Sequence, residues 1–398
     1  MTRGKRILVH DYSGHPFQVQ LSRCLAKRGH QVRHVYSASF QTPKGDLSKG
    51  PEDSKRLDIV GVSLGSVFRK DGFIKRRSQE IEIGRQVAEQ IRQFRPDIVL
   101  SSNAPLDTQA VIHKATRSHG ARFVFWLQDL YSEAIGRILR RKLPVIGGVV
   151  AMRYHRLEFD LLRRSDHIIA ITDDFLPHLR GNGIVPGCVS VVENWAPLGE
   201  PNANCGAVAV ADTIRAVYAG TLGYKHNPDI LLAAAKSLPV AIEVFSEGRV
   251  AEDLARRAAA DGVSNLRVLP WVSFSDLPRV LGRADVLIAM IEVDAGAFSV
   301  PSKVLTYLGA GKPVIAAIPR SNLARRILER EQAGLVSDPG AHLGFIDNLR
   351  RLAGDGELRK RLGANGRAYA EANFNIDRIT DRFEGIFDDL ILTELRAI

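Results

Sequence analysis

Short apolar segments alternate with amphipathic stretches along almost the whole chain. In the first half, the apolar run RILVH (6–10) is followed by a helix-like stretch at 17–30. Further strand-like runs lie at 31–36, 96–102, 121–127, 166–172 and 188–194. Strands that are separated by helix-length connections predict a parallel sheet that is covered by helices on both faces.

The alternation pauses at residues 195–213, which are rich in Pro, Gly, Asn and Ala, and then begins again. The second set of strand-like runs lies at 214–223, 240–248, 265–271, 284–291, 312–318 and 333–337, and the sequence after residue 341 has a helical pattern. We therefore predict an α/β protein of two doubly wound, Rossmann-like domains at 1–196 and 197–375, with a last helix at 376–398 that packs back on the first domain.

Length and composition fit this organisation. The 398 residues suffice for two domains of ordinary size, and 45% hydrophobic with 25% charged residues is typical of globular proteins. The sequence has no apolar run long enough to span a bilayer and begins without a secretory signal, so we expect a cytoplasmic protein. Cys24, Cys188 and Cys205 are widely spaced, which indicates neither a disulfide framework nor a zinc site.

The net charge of +11 is unevenly distributed. Residues 1–196 hold 31 Lys and Arg against 19 Asp and Glu, a balance of +12. Such an asymmetry predicts that the first domain meets an anionic partner, which could be nucleic acid, a membrane surface or a phosphorylated substrate. We expect no nucleic-acid partner, because the sequence shows no recognition motif and no series of aromatic and basic residues suited to base stacking.

The segment FSVPSKVLTYLGAGKPVIAA (298–317) combines a helix start, a glycine-rich helix stop and a strand. Pro301 suits the first position of the helix, so Ser302 and Lys303 belong to its first turn. Unpaired N–H groups and the helix dipole favour an anion at this end. A lysine there predicts an anion site, although a surface lysine in contact with solvent is the alternative interpretation of Lys303.

A similar arrangement occurs in YAGTLGYK (218–225), directly after the first strand of the second domain. Gly220 frees the turn, Thr221 offers a hydroxyl group, and Lys225 precedes a helix start. Two lysines at two helix starts of one domain, Lys225 and Lys303, predict a clamp for a diphosphate.

Two places in the first domain carry candidate residues. The loop HDYSGHPFQVQ (10–20) follows the first strand and contains Gly14 and His15, where a helix N-terminus with a small residue lets a phosphate or a sugar approach the backbone. Asp129 follows a strand in WLQDLYS. Its carboxylate could orient or deprotonate an acceptor hydroxyl, or it could cap the next helix.

Several familiar chemistries are absent from the sequence. It contains no His-Glu-x-x-His and no Asp-x-Asp motif. Asp-x-Asp commonly holds a divalent metal ion against a nucleoside diphosphate. If a diphosphate binds, lysines, hydroxyl groups and backbone N–H groups must therefore stabilise its charge, and we predict no metal ion and no cofactor.

These motifs together give the chain a resemblance to the GT-B glycosyltransferases of family 4. It most resembles the bacterial polysaccharide, O-antigen and colanic-acid group that acts on lipid-linked acceptors. The resemblance rests on RGHQV, WLQDLYSE, VENWAP and YAGTLG, and above all on VPSKVLTYLGAGKPVIA.

The resemblance implies two domains that face each other across a cleft, with the acceptor in the first domain and a nucleotide sugar in the second. It implies that sugar is transferred from a nucleoside diphosphate to an acceptor hydroxyl with retention of anomeric configuration. The implied donor contacts are Gly220, Thr221, Lys225, Trp271, Ser302, Lys303 and Thr306. Gly14, His15 and Asp129 lie on the acceptor side, and the implied catalytic residues are Asp129, Lys225 and Lys303.

The chain departs from the family pattern at three positions. Many family members have two glutamates where this sequence has Phe298 and Thr306, and the usual Gly-Arg pair of the phosphate loop is Gly220-Thr221. A nucleotide-sugar epimerase or hydrolase of the same fold is an alternative to the transferase, because it would use the same donor site, and it would turn over its substrate without an acceptor.

The segment 137–164 is basic and partly apolar. It holds eight Lys and Arg against two Asp and Glu around the apolar run LPVIGGVVAM. Such a segment can lie on an anionic membrane leaflet, whereas the alternative is a solvated helix face. We predict a peripheral protein at the inner face of the cytoplasmic membrane, where it would meet a lipid-linked or other glycan acceptor.

Overall fold

The structure, a computed structural model, describes residues 4–40, 44–65, 73–102, 104–142, 146–199, 213–223, 226–296 and 299–395. The chain divides into two compact units. Unit 1 comprises Met1–Glu193 together with Ile376–Ile398, and unit 2 comprises Asn194–Asn375.

Unit 1 is built on a seven-stranded parallel sheet with the strand order β3-β2-β1-β4-β5-β6-β7. Its strands are β1 (Arg6–Asp11), β2 (Gln31–Ser37), β3 (Leu57–Val62), β4 (Ile98–Ser102), β5 (Arg122–Leu127), β6 (His167–Ala170) and β7 (Val189–Val191). Its helices are α1 (Pro16–Lys27), α2 (Phe73–Phe94), α3 (Leu106–Ser118), α4 (Tyr131–Lys142), α5 (Ile146–Arg164) and α6 (Leu176–Gly181).

Unit 2 contains a six-stranded parallel sheet with the order β10-β9-β8-β11-β12-β13. Its strands are β8 (Arg215–Ala219), β9 (Ala241–Phe245), β10 (Leu266–Leu269), β11 (Val286–Met290), β12 (Val314–Ala317) and β13 (Gly334–Ser337). Its helices are α7 (Asp229–Ser237), α8 (Arg249–Ala260), α9 (Leu277–Gly282), α10 (Val293–Gly296), α11 (Ser302–Gly309), α12 (Leu323–Arg330), α13 (His342–Gly354) and α14 (Gly356–Asn373). The last helix, α15 (Ile376–Leu395), belongs to unit 1.

The predicted fold class is confirmed, because both sheets are parallel and each predicted strand region contains one strand. The central strands are the most apolar parts of the chain, and all five residues of β4 and of β11 are buried. A strand that is buried on both faces reads as a continuous apolar run, which explains why the sequence pattern locates it. β3 was not predicted; it is an edge strand with only its first and last residues buried, although four of its six residues are apolar.

Helix α15 packs on unit 1 through aromatic and ionic contacts. The ring of Phe383 lies edge-on at 5.0 Å from the ring of Trp126, at the end of β5. Arg28, which follows α1, donates hydrogen bonds to Asp381 at 2.5 Å and to Glu384 at 2.6 Å. The chain therefore ends on the unit in which it begins.

Candidate functional site

Lys303 of α11 and Tyr218 of β8 lie together at the carboxyl end of the sheet in unit 2. The amine of Lys303 donates a hydrogen bond to the Tyr218 hydroxyl and lies 3.8 Å from the centre of its ring. The Tyr218 hydroxyl in turn donates to the carbonyl oxygen of Thr221 at 2.8 Å. Burial raises the pKa of Tyr218 well above its usual value, so the phenol stays neutral and positions Lys303 without cancelling its charge.

A second tyrosine fixes the helix that carries Lys303. Tyr307 lies one turn further along α11, on the same face as Lys303. Its buried hydroxyl accepts a hydrogen bond from the N–H of Ala219 at 2.9 Å, at the last position of β8. The start of α11 is thereby held against the end of β8, which brings the two motifs of the second domain together.

Gly220 allows this close approach. Its φ of +130° lies in the region that favours glycine, and a Cβ atom there would lie 3.5 Å from Cε of Lys303. Thr221 follows and is exposed. The structure therefore brings three of the predicted donor residues, Gly220, Thr221 and Lys303, to one edge of one sheet.

Other predicted donor residues lie at or near the same edge. Ser302 is the first residue of α11 and is exposed, while Thr306 is half-buried in the same helix. Pro301 precedes the helix instead of occupying its first position, a shift of one residue in a boundary that is commonly uncertain by that amount. Lys225 and Phe298 lie outside the described residues.

Trp271 follows β10 and has a distinctive environment. Its backbone N–H donates to the carboxylate of Glu247 at 3.1 Å, and its half-buried side chain places the indole Nε1 where, among the described residues, no acceptor reaches it. Glu247 itself comes shortly after β9, which pairs with β10. These two residues therefore extend the sheet edge that carries Gly220.

In unit 1, the loop after β1 holds Gly14 and His15. Gly14 has a φ of +79°, and a Cβ atom there would lie 2.8 Å from Leu47. The buried carboxylate of Asp11 lies 3.2 Å from Nδ1 of His15 and also accepts the N–H of that residue. Lys44 lies beside Gly14, and burial lowers the pKa of its amine.

Asp129 follows β5 and is half-buried. The helix that starts after it is capped from elsewhere, because Glu158 of α5 accepts the N–H groups of Tyr131 at 2.9 Å and of Ser132 at 3.0 Å. Glu158 is fully buried, and this burial raises its pKa to about 7. Asp129 thus lies beside a helix start whose first N–H groups bind another carboxylate.

Asp11, Tyr218 and Glu158 were missed by the sequence analysis. The one available signal was position, since Asp11 directly follows the first predicted strand and Tyr218 comes just before Gly220, and polar groups of parallel sheets collect at the carboxyl ends of strands. No local pattern marks Glu158, because it lies in the middle of a helix and its partners are 26 and 27 residues away.

The described side chains of segment 137–164 include an exposed stripe on α5. Val149 is 70% exposed and Met152 is 55% exposed, and Arg153 and Arg156 are exposed on the same helix face. Arg137 on α4 is exposed as well, whereas the side chains of residues 140–146 lie outside the described part.

No described helix has the length and apolar character needed to cross a membrane. Within the same residues, no three side chains of His, Cys, Asp or Glu are grouped so that they could hold a metal ion.

Two Rossmann-like units, each with a parallel doubly wound sheet, define the GT-B class. A family model for glycosyl transferase 4-like domains matches residues 15–195, and one for group 1 glycosyl transferases matches residues 213–355. Between them the two models match most of the chain, which therefore belongs to the GT-B glycosyltransferases of family 4.

Individual relatives are more distant. The chain is 36% identical over 80 residues to the lipopolysaccharide core biosynthesis glycosyltransferase LpsD of Rhizobium meliloti (strain 1021), a match that spans 20% of this chain and only 23% of that relative. The fold is similar to sucrose-phosphate synthase from Thermosynechococcus elongatus, with a TM-score of 0.72 and 14% identity over 98% of this chain and 100% of that one. It is also similar to Anabaena HepE in complex with UDP and glucose, with a TM-score of 0.69 and 15% identity over 96% and 99% of the two chains.

Proposed function

We propose that the protein transfers a sugar from a nucleoside diphosphate sugar to a hydroxyl group of a glycan or lipid-linked acceptor. The reaction retains the anomeric configuration, needs no metal ion, and serves the assembly of a cell-surface polysaccharide or glycolipid. The observation that carries this proposal is the Lys303–Tyr218 contact beside Gly220, in a chain that belongs to family 4. The UDP and glucose bound by HepE favour the donor class, and the role of LpsD in lipopolysaccharide core biosynthesis favours the cell-surface role.

In the proposed reaction, the donor diphosphate lies at the carboxyl end of β8, next to Gly220. The acceptor oxygen forms a bond to the anomeric carbon while the bond from that carbon to the diphosphate oxygen breaks, and the acceptor proton leaves with the diphosphate. Lys303, together with Lys225, stabilises the negative charge that develops on the leaving group. Thr221 and Ser302 supply hydrogen bonds at the same edge of the sheet.

Residues at the ends of the neighbouring strands recognise the other parts of the nucleotide sugar. Trp271 lies near the base, and its indole N–H offers a donor for a base or ribose oxygen. Thr306 contacts the donor with a hydroxyl group where family relatives have a carboxylate. In unit 1, Gly14, His15 and Asp129 bind the acceptor, and Asp129 orients the hydroxyl that attacks.

The protein associates with an anionic membrane surface at the cytoplasmic face. The exposed Val149 and Met152 lie beside Arg153 and Arg156 on α5, which is a combination suited to the interface of an anionic bilayer. A lipid-linked acceptor is delivered at this surface.

A thermal-shift screen with nucleoside diphosphates and their sugars tests the donor site. A ligand at 100 times its dissociation constant stabilises a protein by about 2.7 kcal/mol. Transfer is then assayed with the best donor, with and without glycan acceptors. Absence of stabilisation by every nucleoside diphosphate would contradict the proposal, and turnover that needs no acceptor would favour a hydrolase or an epimerase.

A further inference from the structure

The buried carboxylate of Asp11 forms hydrogen bonds with the turn that follows it. Asp11 ends β1 and is fully buried. Its Oδ1 accepts the N–H of Ser13 at 3.1 Å, its Oδ2 accepts the N–H of His15, and its Oδ1 also lies 3.2 Å from Nδ1 of the His15 ring. Burial of an ionised carboxylate away from water is tolerated only where hydrogen bonds such as these replace the hydrogen bonds to water.

These hydrogen bonds decide the charge of Asp11. Burial by itself opposes ionisation, but the nearby His15 and its hydrogen bonds lower the pKa of the Asp11 carboxyl below its usual value. An ionised carboxylate only accepts hydrogen bonds, so Nδ1 of His15 must carry the hydrogen atom. In the neutral imidazole, Nε2 is then the acceptor, on the side of the ring away from Asp11.

The turn is also held from its outer side. The carbonyl oxygen of Gly14 accepts the N–H of Gly45 at 2.8 Å, and the left-handed φ of Gly14 sets the direction of the chain into α1. His15 occupies the position before α1 without capping it through its side chain, and its ring lies 5.5 Å from the ring of Phe17. The His15 side chain remains 28% exposed. The imidazole is therefore fixed on one edge and reachable from solvent.

We propose that Asp11 is a positioning residue that holds His15 in one tautomer and one ring orientation, so that Nε2 of His15 accepts a hydrogen bond from a hydroxyl group of the sugar substrate. The place fits such a ligand, because the carboxyl end of a central parallel strand is where open α/β sheets bind ligands. In many enzymes a third group orients the side chain that acts as a base, and this fixes which atom of the base faces the substrate. This inference rests on the proposed function, since it takes a sugar as the ligand.

The tautomer of the His15 ring can be measured without an activity assay. In the wild-type chain, two-dimensional ¹⁵N NMR of the histidine rings, assigned with the variant His15→Gln, should show the Nδ1–H tautomer for His15. In Asp11→Asn the side-chain amide can also donate, so the tautomers of His15 should mix or invert. An Nε2–H tautomer in the wild-type chain would overturn the inference, and this spectrum needs no variant that alters the core.

The role in binding is measured by a double-mutant cycle on the transfer reaction. Asp11→Asn and His15→Gln should each lower kcat/KM at least tenfold, and the double variant should be no slower than the slower single variant, because both changes remove one interaction. The matched control is Asp53→Asn, a mostly buried carboxylate that binds Arg23 and the N–H of Gly50 and does not contact the turn. It should retain wild-type kcat/KM.

Full activity in Asp11→Asn and His15→Gln, or losses that add in the double variant, would overturn the inference. If the wild-type chain turns over no nucleotide sugar, the proposed function fails, and the tautomer of His15 still decides whether Asp11 positions the ring. If Asp11→Asn does not fold, His15→Gln and the wild-type spectrum decide the question.

Discussion

Lys303 lies with its amine 3.8 Å from the centre of the Tyr218 ring and donates a hydrogen bond to the hydroxyl of that ring. The two residues are 85 positions apart in sequence, and the hydrogen bond to the neutral phenol of Tyr218 holds the amine of Lys303 in place. An ammonium group that is oriented by a neutral partner keeps its charge, which is what the leaving group of a diphosphate transfer requires. This relationship makes Lys303 the first residue to replace.

Lys303→Ala should weaken the binding of a nucleoside diphosphate about tenfold or more, because a hydrogen bond to a charged group contributes roughly 1.5 to 3 kcal/mol. Lys225→Ala should have an effect of the same size. Isothermal calorimetry measures both, and thermal unfolding checks that the fold is intact. The control is Lys236→Ala, which removes an exposed lysine of α7 that pairs with Asp261, and this variant should bind as the wild type does. Wild-type affinity in both of the first two variants would contradict the diphosphate clamp.

Transfer should survive the removal of divalent cations. The chain has no Asp-x-Asp motif, and the proposed site stabilises the diphosphate with lysines and hydrogen-bond donors instead. The measurement is the rate of sugar transfer with and without excess EDTA. Complete loss of activity that magnesium or manganese restores would show that the charge of the diphosphate is stabilised differently.

Glu158 should make stability depend on pH. Burial raises the pKa of its carboxyl from 4.5 to about 7 in the folded chain, so the folded state binds more protons than the unfolded state between these values. The contribution of Glu158 to the free energy of unfolding is therefore lost as pH rises from about 4.5 to 7, by on the order of 3 kcal/mol.

The variant Glu158→Gln, which does not titrate, isolates this effect. The wild type should lose stability relative to Glu158→Gln between pH 5 and pH 8, as measured by urea unfolding at each pH. Glu89→Gln changes an exposed carboxylate on α2 and should leave the pH dependence as it is in the wild type. A difference between the wild type and Glu158→Gln that stays constant, or that grows with pH, would argue against the raised pKa.

The particular residues show why the sequence predicts the sheets better than the sites. A buried strand such as β11 is apolar at every position, and Gly309 and Gly311 mark the end of the helix that carries Lys303, so both features can be recognised locally. Glu158 acts on a helix start 26 and 27 residues away, which only the folded chain brings to it. Asp11 contacts Ser13 and His15, two and four residues further on, but the sequence does not show that its carboxylate is buried and turned onto them. Edge strand β3 was missed although four of its six residues are apolar, and only its first and last residues are buried.

The proposed membrane surface combines two kinds of contact. Val149 and Met152 are exposed on α5 and would enter the interfacial region, while the arginines nearby would attract anionic lipid. Each basic residue close to such a surface contributes about 1 kcal/mol, and the attraction fades within a Debye length, about 10 Å at 0.1 M salt. Replacing Val149 and Met152 together by Ser should therefore weaken binding at high salt as well as at low salt.

Replacing Arg137, Arg140 and Arg141 together by Ser should instead weaken binding mainly at low salt, because their contribution is electrostatic. Co-sedimentation with liposomes that contain anionic lipid, at a series of salt concentrations, separates the two effects.

The control changes Arg85 and Arg92 to Ser, which removes positive charge from an exposed face of α2 where each arginine pairs with a glutamate of its own helix. All these variants should bind nucleoside diphosphates as the wild type does, since the changes lie in the other unit. If the wild type ignores anionic liposomes even at low salt, the membrane surface is wrong, and a soluble acceptor becomes the better proposal.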